Sequence, residues 1–385
     1  MMRLLLVSFF YEHDFGGAEL VARRARELLL AAGWEVDVLC LAGGRPLGDS
    51  GFYRLPVPAW RRAGGQWFKR SILFLPGPGL DRRLLAEARA RVDPAEYDGV
   101  FCPDFNAVVL ATGLAGPAKR PVALWLQENL PRRLERLNIR SLAAPLIRLT
   151  LSKREPIWRR AMAGCAAVAA VSDFTRGQGA TFAGEDRYTT LYPPLDGSLQ
   201  NVQPTPARHE GPARLLFLGR LSPEKGVDLL LDAQALMQED ATLTFAGLGG
   251  SLTDETRAVS RRDERVRLMP PVPSAEVPAL IDEHEIVCAP SRVEESLCRT
   301  ALEGRLRERL VVASDRGAIP EVLAGYPLAH PMAVTADAGA LAAVLDKAVA
   351  ARRELTDEER TAERDFLGRF APDNFAGRIA AMLGG

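Results

Sequence analysis

Residues 214–246, RLLFLGRLSPEKGVDLLLDAQALMQEDATLTFA, decide the fold of the second half of this 385-residue chain. The apolar runs at 214–219 and 242–246 predict two buried strands, and the helical spacing of apolar residues over 226–238 predicts a helix between them. A strand, a turn, a helix and a strand in this order form a parallel crossover unit. The segment therefore predicts an α/β domain of the doubly wound type.

The same alternation continues along the chain and also fills its first half. Further runs of strand length lie at 266–269, 286–289 and 310–313, and in the first half at 4–10, 36–41, 99–102, 122–126 and 166–171. A helix over 18–32, preceded by Gly16-Gly17 and ended by Gly33, connects the first two strands. We expect two doubly wound Rossmann-like domains with an interdomain cleft at the carboxyl ends of their strands.

Chain length and a proline-containing polar stretch place the domain boundary near residue 200. A chain of 385 residues is about twice as long as the upper end of the usual range for a single domain, about 100 to 200 residues. The polar stretch 196–212, with three prolines, is typical of a linker. We expect one domain over 1–200 and a second over 205–367. Residues 373–383 predict a final helix, whose simplest expected position is on the second domain.

Composition favours a globular cytoplasmic protein. The chain is 47% hydrophobic and 25% charged, and it contains no apolar run of about 18 residues, the length of a membrane span. Its N-terminus predicts a buried strand rather than a signal peptide. Five scattered cysteines without metal-ligand spacing suit a reducing compartment.

The two halves differ in charge although the net charge is zero. Residues 1–200 carry 27 Lys and Arg against 20 Asp and Glu, which indicates an anionic partner. The basic segments 61–75 and 132–160 interleave Arg and Lys with apolar residues, Trp158 among them. They fit either an anionic membrane surface or solvated helix faces. Nucleic acid is not expected, because no recognition motif accompanies the charge.

Residues 295–303, ESLCRTALE, hold two carboxylates eight positions apart. A helix beginning near Ser296 would place Glu303 about two turns in. Its unpaired N–H groups suit a phosphate, and Glu295 and Glu303 suit sugar hydroxyls. A sugar nucleotide supplies both kinds of partner. The alternative is a solvated helix that carries two acids.

Cations and glycines follow the first strand of each half. Arg220 and Lys225 lie in the loop after residues 214–219, where a phosphate fits, although a solvated loop is the alternative. Gly16-Gly17 lets a backbone approach a ligand, or forms an ordinary turn. The chain has no Asp-x-Asp and its four His are far apart, so no bound metal is expected.

Several of these segments together resemble glycosyltransferase family 4, a family of retaining sugar-nucleotide transferases with the GT-B fold. They are GGAE (16–19), VSDFTR (171–176), GRLSPEKG (219–226), FAGLG (245–249), APS (289–291), the Glu295/Glu303 pair and ASDRGAIPEVL (313–323). The resemblance covers nearly the whole chain in the family's order.

The resemblance implies roles for matching residues. It makes Arg220, Lys225 and Glu295 catalytic, with the two cations on the donor diphosphate and Glu295 at the donor sugar. Gln127 and Glu128 would lie on the acceptor side. The remaining implied donor-binding residues are Gly16, Gly17, Gly219, Gly247, Ser296, Leu297, Cys298, Arg299 and Glu303, the last at the ribose.

The resemblance also implies a reaction and a domain arrangement. The departing phosphate would take the acceptor proton, so neither a protein base nor a cofactor or metal is needed; the nucleotide diphosphate sugar is a co-substrate. The first domain would bind the acceptor, and the C-terminal helix within 368–385 would pack back on that domain.

Departures from the family pattern leave the substrates open. Leu297 and Cys298 replace small or aromatic residues, Gln127 or Glu128 stands where a His is usual, and Pro270-Pro271 replaces a glycine near the base. Tyr192-Pro-Pro-Leu-Asp196 resembles a loop of mannosyl-type members, which favours a hexose such as mannose. The acceptor would be a glycan or a lipid-linked molecule, with the enzyme peripheral on the inner membrane face. Alternatives are a catalytically silent partner subunit and a sugar-nucleotide epimerase.

Overall fold

A computed structural model of the chain describes residues 1–9, 11, 17–41, 51–55, 78–128, 144–183, 188–195, 211–247, 249–333 and 337–384. The chain divides into two compact units. Unit 1 contains Met1–Pro194 and Pro372–Gly385, and unit 2 contains Leu195–Ala371. Most of the expected linker, residues 196–210, lies outside the described residues.

Unit 1 is built on a parallel sheet with the strand order β3-β2-β1-β4-β5-β6-β7. Its strands are β1 (Arg3–Val7), β2 (Glu35–Leu41), β3 (Phe52–Leu55), β4 (Gly99–Cys102), β5 (Val122–Leu126), β6 (Ala167–Ala170) and β7 (Tyr188–Thr190). Its first helices are α1 (Gly17–Ala31), α2 (Pro78–Arg89), α3 (Val108–Ala115), α4 (Ala144–Ala163) and α5 (Asp173–Ala183). Every residue of β4 and β5 is buried, as expected for strands covered on both faces.

Unit 2 repeats this plan with the strand order β10-β9-β8-β11-β12-β13, all parallel. Its strands are β8 (Ala213–Leu218), β9 (Ala241–Ala246), β10 (Val266–Met269), β11 (Ile286–Ala289), β12 (Leu310–Ser314) and β13 (Ala329–Met332). Its helices are α6 (Val227–Leu236), α7 (Thr253–Ser260), α8 (Val277–Asp282), α9 (Arg299–Leu306), α10 (Ile319–Leu323), α11 (Ala338–Ala350) and α12 (Asp357–Leu367).

Each sheet has one point where the strand order reverses. In unit 1 the reversal lies between β1 and β4, and in unit 2 between β8 and β11. The loops that leave these neighbouring strands diverge to opposite faces of the sheet, so they open a crevice between them. Ligand sites in open α/β sheets lie at such points.

The last helix, α13 (Phe375–Met382), packs on unit 1 rather than on the second domain, its simplest expected position. It contacts α1, and the ring of Phe375 lies 5.6 Å from that of Trp125. Leu383, just after the helix, packs so closely on Gly99 that a Cβ there would lie 2.8 Å from its Cδ2. The preceding 3-10 turn, Gly368–Phe370, belongs to unit 2.

Three strands were missing from the sequence-based prediction: β3, β7 and β13, of which β3 and β7 form the edges of unit 1 and β13 an edge of unit 2. They have only three or four residues, and each contains exposed or half-buried positions. Edge strands are covered on fewer sides, so their sequences lack the continuous apolar run that marks a central strand.

Where the structure describes its side chains, one face of the second basic segment packs into the core. Trp158 is 3% exposed, and its ring lies 5.2 Å from that of Phe105. Arg154 is buried over the Trp158 ring, and Arg159 pairs with Glu155 at 2.7 Å. Trp158 was therefore wrongly placed on a possible membrane face. Residues 132–143 and 61–75 lie outside the described residues. Among the described helices, none combines the length and apolar composition needed to cross a membrane.

Candidate active site at the switch point of unit 2

The loops after β8 and β11 approach so closely that only glycine fits between them. A Cβ on Gly226, at φ +75°, would lie 2.0 Å from the carbonyl oxygen of Pro290. The backbone of Arg292 donates to the carbonyl of Glu224 at 2.9 Å. Because of this approach, the 3-10 turn Pro223–Lys225 is held beside the loop that carries Glu295.

Lys225 and Glu295 form an ion pair at this switch point. The Nζ of Lys225 donates to Oε1 of Glu295 at 2.6 Å, and the side chain of Glu295 is 14% exposed. The hydroxyl of Ser291 donates to the same oxygen, also at 2.6 Å. Lys225 and Glu295, which the sequence selected as site residues, are thus in contact. Ser291, which the sequence placed only in the APS segment and gave no role, completes the cluster.

The loop that follows β12 fixes the backbone of Glu295. Glu295 and Gly317 form an isolated parallel bridge, and the N–H of Ala318 donates to the carbonyl of Glu295 at 2.9 Å. Gly317 has φ +64°, and a Cβ there would lie 2.3 Å from that carbonyl oxygen. A glycine at 317 is therefore required for the position of Glu295.

The expected helix start at Ser296 is wrong. Helix α9 begins at Arg299, with Cys298 as its N-cap residue in the left-handed conformation at φ +62°. Because of this later start, Glu303 lies about one turn into the helix instead of two. The hydroxyl of Thr300 donates to the carbonyl of Leu218 at 3.1 Å, which ties the first turn of α9 to the end of β8.

The second acid and the cysteine have distinct surroundings. Arg299 donates to Oε1 of Glu303 at 2.8 Å, so each acid of the pair is bound to a cation of its own unit. Burial, followed by the charge of Glu295, raises the pKa of the Cys298 thiol to about 12. The thiol is neutral at physiological pH and is a poor nucleophile.

The other predicted donor residues lie at the same edge of the sheet. Arg220 is exposed and makes no hydrogen bond or ion pair within the described ranges. Gly219 and Gly247 directly follow the neighbouring strands β8 and β9, and a Cβ on Gly247 would lie 1.7 Å from the carbonyl oxygen of Gly219. Ser296 is half-buried and Leu297 is buried. This edge of the sheet therefore carries three cations (Arg220, Lys225 and Arg299) and two acids, which favours an anionic ligand that also bears hydroxyls.

The predicted acceptor-side residues line a pocket within unit 1. It lies at the switch point between β1 and β4, and its lining includes Ser8, Glu19, Asp104, Phe105, Gln127 and Glu128. Gln127 is buried, and its amide donates to the carbonyl of Pro103 at 3.0 Å. Gly17 is the first residue of α1, and Gly16 lies outside the described residues.

Sequence reasoning missed Asp104 in this pocket. Its carboxylate accepts from the N–H groups of Phe9 and Asn106, at 2.8 and 2.9 Å. Burial, reinforced by the nearby charge of Glu128, raises the pKa of Asp104 to about 6. The signal was available, because Asp104 comes two residues after the apolar run at 99–102 and so lies at the ligand-binding edge.

Within the described ranges, no three His, Cys, Asp or Glu side chains form a group that would hold a metal ion. Independence of metal and of cofactors stays a prediction.

Solved structures share the fold of the whole chain. HepE (Alr3699) of Anabaena, in complex with UDP, has a TM-score of 0.75 at 18% identity and 100% coverage of both chains. Sucrose-phosphate synthase of Thermosynechococcus elongatus has a TM-score of 0.79 at 16% identity, and the match covers 99% of this chain and 98% of that chain. WaaG, a glycosyltransferase involved in lipopolysaccharide biosynthesis, has a TM-score of 0.67 at 14% identity. The match covers 99% of this chain and 100% of that chain. The protein thus has the GT-B class of fold, as predicted.

Family models match both halves in sequence. The model described as Glycosyltransferase Family 4 matches residues 15–198, and that described as Glycosyl transferases group 1 matches residues 212–350. Lipopolysaccharide 1,2-N-acetylglucosaminetransferase of Salmonella typhimurium is 28% identical over 134 residues, which are 31% of this chain. The match spans 35% of that relative's length. The chain belongs to glycosyltransferase family 4 and is a transferase, which confirms the resemblance seen in its motifs.

Proposed function

We propose that this glycosyltransferase moves a hexose from a nucleoside diphosphate sugar to a glycan or lipid-linked acceptor, with retention of anomeric configuration and without a metal. The observation that carries the proposal is the Lys225–Glu295 pair at the switch point of unit 2, 2.6 Å between Nζ and Oε1. It brings a phosphate-binding cation and a hydroxyl-binding acid to one point.

The diphosphate is assigned to the cations. An ammonium group has three N–H donors, and Lys225 uses one of them on Glu295. The others, together with the exposed guanidinium of Arg220, are suited to the phosphate oxygens. These cations stabilise the charge that develops as the diphosphate departs, which is the task a divalent metal performs in other transferases.

The sugar and the ribose are assigned to the acids. Glu295 has its Oε1 occupied by Lys225 and Ser291, so its Oε2 is the oxygen for a sugar hydroxyl. Glu303 would bind the ribose, with its charge balanced by Arg299. The neutral thiol of Cys298 is unsuited to attack the sugar. Leaving-group departure and acceptor attack on one face, with the phosphate taking the acceptor proton, give retention without a protein base.

Uracil is the nucleobase to test first. A neighbour of this fold was crystallised with UDP-glucose, and the Salmonella relative is an N-acetylglucosamine transferase. GDP-mannose is the second donor, because residues 192–196 resemble a loop of mannosyl-type members.

The experiment is a donor panel with EDTA or Mg²⁺. The protein is incubated with UDP-glucose, UDP-galactose, UDP-N-acetylglucosamine and GDP-mannose, with a truncated lipopolysaccharide core as acceptor. We expect release of nucleoside diphosphate from one donor, equal rates with EDTA and Mg²⁺, and an α-linked product by NMR from an α-linked donor. An epimerised donor, an inverted linkage or no release from any donor would contradict the proposal.

The acceptor is assigned to the unit 1 pocket, whose carboxylates Glu19, Asp104 and Glu128 suit the hydroxyls of a sugar. Charge reversal by Glu128→Lys should raise the acceptor KM while leaving hydrolysis of the donor unchanged. An unchanged acceptor KM would place the acceptor elsewhere.

We also propose attachment to the inner membrane surface through the basic segment around Arg132, Arg133 and Arg136, since a lipid-linked acceptor lies there. Co-sedimentation with vesicles of phosphatidylglycerol tests it. Charge reversal at these three positions should abolish binding, and unchanged partitioning would remove this segment from the proposal.

A further inference from the structure

Ser291 is a buried serine between two loops of unit 2. It lies two residues after the end of β11 and is 3% exposed. Its Oγ lies 2.6 Å from Oε1 of Glu295 and 3.3 Å from the carbonyl oxygen of Glu224. A hydroxyl has one proton to donate, and the shorter, charge-assisted bond takes it. Ser291 therefore donates to Glu295.

Both donors of the cluster bind one oxygen of Glu295. Lys225 reaches Oε1 from the loop after β8, and Ser291 reaches it from the loop after β11. Within the described residues, Oε2 accepts no hydrogen bond. The ion pair alone leaves the carboxylate free to turn about its last torsion, which is broad. A second donor from another direction fixes the plane of the carboxylate.

We propose that Ser291 is a positioning residue of the donor site, which holds Oε1 of Glu295 so that Oε2 is presented to the donor sugar. This rests on the proposed function for the identity of the ligand. Ser291 acts through Glu295, on the sugar and not on the nucleotide. Its removal should therefore affect ligands that carry the sugar and spare those that lack it.

The test compares Ser291→Ala with two controls, using UDP-glucose and UDP as probes, or the donor found active in the panel and its diphosphate. Ser291→Ala should lower kcat about 10-fold, the effect of losing a hydrogen bond to a charged group. Its Kd for UDP should stay within about twofold of the wild type, because UDP lacks the donor hexose that Glu295 would bind. Ser291→Thr keeps the hydroxyl and should restore most of the activity.

Ser314→Ala is the matched control for a buried serine. Ser314 ends β12, is 2% exposed, and its hydroxyl has no hydrogen-bond partner in the described part of the chain. Its truncation should leave kcat and the Kd for UDP unchanged.

A crystal structure of Ser291→Ala gives a readout that needs no turnover. The Glu295 carboxylate should be rotated about its last torsion, so that Oε2 leaves its wild-type position. An unmoved carboxylate, a wild-type kcat, or equal weakening of UDP and UDP-glucose binding would each overturn the positioning role. A wild type that turns over no donor would instead refute the proposed function, while the crystal structure would still decide whether Ser291 orients Glu295.

Discussion

Lys225 and Glu295 are 70 residues apart in sequence, yet Nζ of one lies 2.6 Å from Oε1 of the other. The sheet order explains the contact. Strands β8 and β11 are neighbours in unit 2, and the loops that follow them leave at the same edge. Strands β9 and β10 lie on one side of β8, and the chain then crosses to place β11 on the other side. The site depends on this crossing, because it makes β8 and β11 neighbours.

Replacing Lys225 tests this pair. Lys225→Met removes one charge-stabilising donor from the diphosphate, so kcat/KM should fall at least about 100-fold. The measurement is nucleoside diphosphate release under donor-limited conditions. Lys347→Met, at an exposed position on α11 of the same unit, is the control and should retain full activity. Equal activity of the two variants would remove Lys225 from the catalytic machinery.

Gly317 is predicted to act through the backbone of Glu295. In Gly317→Ala the new methyl group meets the Glu295 carbonyl, so activity should drop more than 10-fold and stability by about 2 kcal/mol. Gly325→Ala is matched, because Gly325 has φ +70° with nothing within 4 Å of its Cβ position. The free energy of unfolding of Gly325→Ala should fall by only about 1 kcal/mol, the cost of placing alanine in the left-handed conformation, and the variant should keep its activity. Urea unfolding and turnover check both variants, and similar losses of activity in the two would rule out the backbone contact as the cause.

A buried ion pair holds α9 to α12. Arg305 is 2% exposed, donates to Oε1 of Glu363 at 2.9 Å, and lies over the ring of Phe366. Glu363→Gln leaves the guanidinium buried without its counter-charge and should lower the free energy of unfolding by about 3 kcal/mol. Glu359→Gln, which breaks the exposed pair with Arg353, should change it little. Urea denaturation of both variants measures these changes in the free energy of unfolding. A Glu363→Gln protein as stable as Glu359→Gln would show that the Arg305–Glu363 pair is dispensable.

His284 should make unit 2 sensitive to acid. Its Nδ1 lies 2.7 Å from the Leu280 carbonyl oxygen and its Nε2 lies 2.9 Å from the Thr244 hydroxyl. Burial lowers the pKa of His284 below its ordinary 6.5, although the Leu280 bond opposes this. The unfolded chain therefore takes up the proton first, and the stability from neutral His284 is lost as pH falls below about 6.5.

The measurement is calorimetric unfolding of wild type and His284→Asn at pH 7.5 and 5.5. The variant should be less stable at pH 7.5 but lose less on acidification. Asp104 works in the opposite direction in unit 1, because its pKa is raised to about 6 and its contribution declines as pH rises through that value. The comparison between variant and wild type cancels it. An equal loss in both proteins would show that His284 does not titrate with folding.

Much of the fold could be predicted from local pattern. The strands at 99–102, 122–126 and 286–289 have the predicted bounds, because central strands buried on both faces need continuous apolar runs. The strand at 266–269 also has the predicted bounds, although it is an edge strand of unit 2. The edge strands β3, β7 and β13 and the start of α9 could not be predicted. Cys298, the N-cap residue before that helix, has a left-handed conformation that its residue type does not favour, so the surrounding loops fix it.

The sequence by itself determined the two Rossmann-like units, the family, and the set of cations and acids from which the donor site is proposed. Those features follow from short-range periodicity and from motifs read in order. The tertiary structure alone decided that Lys225 and Ser291 share one oxygen of Glu295, that Gly317 carries its backbone, and that Asp104 lies in the unit 1 pocket. These contacts join segments far apart in the chain. The order of strands in a sheet sets them, and no local pattern encodes that order.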